Sequence, residues 1–186
     1  ALPYNAGQML KHAGGELGGK YLAWNLAYDL RAALLGYENS GDTAFLTLFE
    51  SAADSVLRVR DDRIDMVDNL RNRPARAWGS NRYSTGKSQW IAWDAFAGMA
   101  AYPLARYCVL VPKASAPRPR QKHCAVYRKA AEEALAEYEE HWREDPTSGG
   151  GYYFDPYLED VAPLNHMNAL GLVHIELFRL TGSRHH

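Results

Sequence analysis

The sequence predicts an all-α fold of antiparallel helical hairpins, and three observations predict it. Apolar residues recur at helical rather than alternating spacing along most of the chain. Segments apolar on every face alternate with segments apolar on one face, in the order inner, outer, inner, outer, inner. With 186 residues, 47% of them hydrophobic, the chain can bury one sizeable core, so residues 1–184 read as a single domain.

Each element follows from its own pattern. Tyr21 to Tyr37 (YLAWNLAYDLRAALLGY) is apolar nearly all round and stops at the turn NSGD, Asn39 to Asp42, which carries a glycine. From Thr43, FLTLFESAADSVLRV is apolar on one face, with Asp42 as its expected N-cap, and reads as an outer helix. Arg60 to Lys87 loses periodicity and ends in WGSNRYSTGK; connections of this length are often functional. The second inner segment is 88-SQWIAWDAFAGMAAYPLARYCVLV-111, where Pro103 is expected to kink or split the helix. After the turn PKASAPRP, Gln121 to Arg143 sets Tyr127, Ala131, Leu135, Tyr138 and Trp142 on one stripe and reads as a second outer helix. Its acidic run from Glu132 reads as a solvated face. The loop 147-TSGGGYYFDPYLEDVAPLN-165 leads into the third inner helix, Met167 to Leu180. A weak repeat aligns LLGYENSGD with IELFRLTGS, setting Gly41 against Gly182.

Composition narrows the function. The net charge of -1 argues against nucleic acid or an anionic membrane as the main partner. No apolar run approaches the roughly 18 residues of a membrane span. The start Ala1-Leu2-Pro3 is compatible with a processed, secreted or periplasmic protein, and His185-His186 reads as a tag remnant. Twelve Tyr and five Trp, many beside Gly, Asn or Arg, suit the stacking of sugar rings as well as the covering of a helical core. Cys108 and Cys124 can face each other across a hairpin, as a disulfide or as two buried thiols. No phosphate loop, G-x-S-x-G, H-E-x-x-H or C-x-x-C is present, no cofactor is implied, and the histidines lack metal-ligand spacing. Calcium among the Asp-rich loops is the one metal option left open.

Three stretches carry a family resemblance: Leu34 to Asp42 with the following FLTLFESAADSVL, 98-GMAAYPLARYCVLV-111, and 165-NHMNALGLVHIELFRLTG-182. Together they resemble the (α/α) toroid families, which include six-hairpin glycosidases, uronate epimerases and polysaccharide lyases. The chain holds about two and a half hairpins, fewer than a closed toroid needs. The resemblance therefore implies a partial toroid, which a further chain or segment could complete. It also implies a substrate cleft at the N-terminal ends of the inner helices, with an acidic poly- or oligosaccharide as partner.

That cleft side would gather Arg76, Arg82 and Lys87 as cations, with Trp78, Tyr83, Trp90, Tyr152 and Tyr153 as stacking surfaces. Removing the proton alpha to a uronate carboxylate needs a carboxylate neutraliser and a base of near-neutral pKa. Asn165 and His166 are the candidates for these roles, Tyr152 or Tyr153 for the acid, and Asn168 for substrate binding. The competing structural reading makes Asn165 an N-cap and His166 a surface histidine. A glycoside hydrolase would instead draw two carboxylates from Asp94, Asp155, Glu159 and Asp160. His174 reads as a core histidine bonded to a neighbour. A rival from another class is a non-catalytic helical binding or inhibitor-like module whose acidic outer helix meets a basic partner.

Overall fold

A computed structural model describes residues 18–111 and 117–183. The first inner segment starts at Gly19–Tyr21, passes through a π-helical turn at Leu22–Leu26 and continues as α1, Ala27–Ser40. Leu22, Leu26, Leu30 and Leu34 recur every fourth residue and are buried, whereas Tyr28 and Leu35 are exposed. This helix is therefore covered on one side only, although its sequence is apolar nearly all round. Gly41 ends α1 with φ 68, a left-handed conformation that favours glycine, and its N–H donates to Tyr37 O at 2.8 Å. The Asp42 carboxylate then accepts from Ala44 N at 2.8 Å and starts α2, Ala44–Arg58.

Three regular pieces interrupt the long connection: the short helix α3, Asp61–Ile64, the hairpin β1, Val67–Asp68, with β2, Arg73–Pro74, and a 3-10 turn at Thr85–Lys87. The most buried helix is α4, Asp94–Leu110, which runs unbroken across Pro103 rather than splitting there. It packs most extensively on α6, Leu164–Thr181, and on α5, Arg118–Ala136. Gly98 sets the α4–α6 spacing, because a Cβ there would lie 2.4 Å from the Ala169 carbonyl carbon.

Cross-contacts fix the directions of the helices. Asp94 meets His166 at one end of α4 and α6, and Arg106 meets Glu176 at 3.4 Å further along, so these two run parallel. Trp24 against Phe96 and Arg106 against Glu38 bring the first inner segment into the same sense. By contrast, Cys108 faces Cys124 and Tyr138 reaches Ala92, so α5 runs antiparallel to α4. Phe45 packs against Gly36, so the start of α2 lies against the last turns of α1, and the two helices stay in contact.

Two expectations are corrected. The second outer helix ends at Ala136 rather than Arg143; after a 3-10 turn, Trp142–Asp145 forms β3. This strand pairs with β4, Gly150–Asp155, which pairs in turn with β5, Asp160–Val161. Glycine decides the switch: Gly149 turns with φ 70, and Gly151 leaves room for the Trp142 ring, which a Cβ would meet at 2.3 Å. The fold is thus mainly helical, 62% helix against 11% strand, and the described residues include two small antiparallel sheets that an all-α reading omits. Cys108 and Cys124 are free thiols, buried, with Cys108 Sγ donating to Cys124 O at 3.0 Å.

Candidate functional site

The parallel packing of α4 and α6 brings the first turns of both helices together. Asp94 is the first residue of α4, and its Oδ1 accepts from Ala95 N at 2.8 Å. His166 lies in the first turn of α6, with Nδ1 2.6 Å from the same oxygen. Nδ1 is buried and meets Oδ1 off the line of a straight hydrogen bond, so the contact is an ion pair when the imidazole is protonated. The His166 side chain keeps 18% of its surface exposed. With Nδ1 held by Asp94, Nε2 is the ring nitrogen left to take a proton.

Asp155, at the end of β4, closes the group. Its Oδ1 accepts from Tyr157 N at 2.8 Å and Leu158 N at 3.2 Å, a turn that locks the carboxylate in place. Side-chain ligand atoms of Asp94, Asp155 and His166 all lie within 4.8 Å of one another. Both carboxylates are buried, at 7% and 5% exposure. Burial disfavours the charged imidazole of His166, but contact with Asp94 and the field of Asp155 outweigh it and raise the pKa. A cavity of about 10 Å³ adjoins the group, room for roughly one water; Trp93, Tyr138 and His141 share its lining with the two aspartates. Burial, helped by Arg71, lowers the pKa of His141 and favours its neutral form.

The other expected residues are spread over several places. Asn165 and Asn168 are exposed beside His166 on the first turns of α6, and Asn165 is not the N-cap, a position held by Pro163. Tyr153 is buried, its phenol 2.8 Å from His174 Nε2, and Trp142 packs on it edge-on. Tyr152, its neighbour on β4, is half-buried opposite Arg143. Trp78 is 1% exposed, with its indole N–H donating to Val56 O at 2.9 Å; its ring belongs to the core and is closed to a sugar. Arg76 leans toward Glu133 on α5, 3.9 Å away, far along the chain from the His166 group.

Arg82 and Trp90 line a separate groove of about 350 Å³ with Lys20, Asn25 and Asn81. Tyr83 is exposed, with Lys20 6.0 Å above its ring. The side chain of Lys87 lies outside the described residues.

Asp61 is a feature that the sequence did not single out. It is 1% exposed and accepts from Gly79 N and from Trp90 Nε1 at 3.0 Å, buckling the long loop onto α3. Burial first, then Asp68 and Asp62, lift its pKa to about 7 against those hydrogen bonds. Asp61 falls where the sequence has lost periodicity and reads as connection, and nothing local reveals its burial. Compared with protein-family models, curated proteins and solved structures, the chain matches none.

Proposed function

We propose that the chain is part of an (α/α) toroid and that it acts on an acidic, uronate-containing polysaccharide by abstracting the proton alpha to the uronate carboxylate. The observation that carries this reading is the His166–Asp94 pair at the N-terminal ends of two parallel inner helices. His166 Nε2 is the base, Asp94 orients the ring and stabilises the imidazolium that forms, and Asn165 with Asn168 supplies amides for the substrate carboxylate. Helix N-termini add partial positive charge at the same end. The tyrosines of β4 are the candidate acids. Burial, Glu139 and Asp94 hold the Tyr153 phenol up to about 12, so it keeps its proton for a leaving group.

The groove with Lys20, Arg82 and Trp90 supplies cations and an aromatic face for neighbouring sugars of an acidic chain. Such a substrate fits an exported protein. The partial toroid is supported by the parallel inner and antiparallel outer directions. An apolar stripe left exposed on α6, Leu164, Ile175 and Phe178, suits a further hairpin or chain. A hydrolase would use Asp94 and Asp155 directly, but the cavity beside them holds about one water rather than a sugar ring. A panel of acidic and neutral polysaccharides, assayed for the ultraviolet absorbance of unsaturated uronate products and for C5 inversion, tests the reading. Turnover confined to uronate polymers is expected. Binding without either product would leave the non-catalytic module as the better account.

A further inference from the structure

The charge balance around Asp94 and Asp155 is incomplete. Two carboxylates, both more than nine-tenths buried, lie in one group, yet no described Arg or Lys forms an ion pair with either. Protonated His166 can offset one of the two negative charges. Buried charges are ordinarily paired or bound to metal. A second observation is independent of the carboxylates. Trp93, 5% exposed, lines the adjoining cavity, and its indole Nε1 has no hydrogen-bond partner among the described residues.

We propose that Asp94, Asp155 and His166 form a binding site for a divalent transition-metal cation, zinc being the best fit. Two carboxylate oxygens and an imidazole nitrogen match the mixed oxygen–nitrogen ligation that zinc accepts, with three protein ligands and an open position. Calcium, which takes about six to eight oxygens, finds too few here. With neutral His166, a dication balances both aspartates. A water completing the coordination would fit the cavity and give the Trp93 N–H an acceptor. Occupancy takes the His166 ring away from proton abstraction, so zinc is an inhibitor of the reaction proposed above. This regulatory half rests on that reading of His166, whereas the binding itself does not.

Calorimetric titration of the full chain with zinc chloride tests the site without any substrate. One zinc per chain is expected, with no comparable binding of calcium. Asp155→Asn and His166→Gln should each weaken binding at least about tenfold. Both variants are checked by circular dichroism melts. Cobalt(II) absorption in the visible, lost in His166→Gln, provides a second reading should Asp155→Asn fail to fold. No binding, or zinc affinity and cobalt spectra unchanged in His166→Gln, overturns the proposal; the latter outcome would assign the metal to other histidines such as the terminal pair. If zinc binds and the zinc-free protein turns over no polysaccharide, the functional reading fails and the site stands.

Discussion

Asp94 governs how His166 titrates, and this makes the pair testable by pH. A base works when unprotonated, so turnover should rise with pH through a His166 pKa above the ordinary 6.5. Asp94→Asn removes the charge that raises it, and the rising limb of the kcat/KM profile should move to lower pH while the maximum falls. An unmoved limb would separate the two residues. The same raised pKa makes the His166 contribution to stability fully present below 6.5, with loss as pH rises through the folded value.

Asp61 carries the same sign, unusually for a carboxylate. Its folded pKa of about 7 exceeds the ordinary 3.8, so its contribution is complete below 3.8 and is lost as pH rises toward and through 7. Denaturant midpoints at pH 5 and pH 8 should show the wild type losing on the order of 2 kcal/mol more than Asp61→Asn. Equal losses would contradict the burial assigned to this group. At this scale the sequence was partly legible: His166 stands out by its place at a helix start, and Asp94 and Asp155 stand out only as carboxylates for a hydrolase, not as partners of His166. Asp155 and His166 are near neighbours in the chain, but Asp94 is far from both, and it is the parallel packing of α4 on α6 that brings it to His166.

Among the elements, the α4–α6 contact decides whether the site exists. Gly98→Ala would drive a Cβ against the backbone of Ala169, which cannot yield like a flexible side chain. Overpacking of about 1–3 kcal/mol should exceed the helix-propensity gain of up to ~1 kcal/mol. A lower melting temperature and lost turnover are expected together. Gly171→Ala on α6 meets nothing within 4 Å and should be neutral or slightly stabilising, which isolates packing from propensity. Equal melting of the two variants would remove Gly98 as the spacer.

Along the α4–α5 hairpin, thiol titration of the unfolded, unreduced protein should find two thiols per chain, and finding none would indicate a Cys108–Cys124 bridge. Helix ends were less legible than helices. The stripe through Tyr127, Ala131, Leu135 and Tyr138 continues past Ala136 in sequence, but three glycines at 149–151 let the following segment fold back on Trp142 as a strand.

For the whole molecule, the contrast between all-round and one-sided apolar segments carried the layout. It placed α4 as one of three buried inner helices, with α2 and α5 as the outer, returning partners. It overstated the burial of α1 and α6, whose Tyr28, Leu35, Ile175 and Phe178 face outward, because an apolar pattern does not say which neighbour covers it. The central claim is that one end of this helical layer holds a base poised for uronate chemistry. The most direct measurement compares wild type with His166→Ala for elimination or C5 inversion on a uronate polymer, alongside thermal melts. The account predicts that His166→Ala abolishes turnover and, by leaving the buried Asp94 carboxylate without its partner, lowers the melting temperature, so activity is read well below the variant's melting transition. A fully active His166→Ala variant would contradict it.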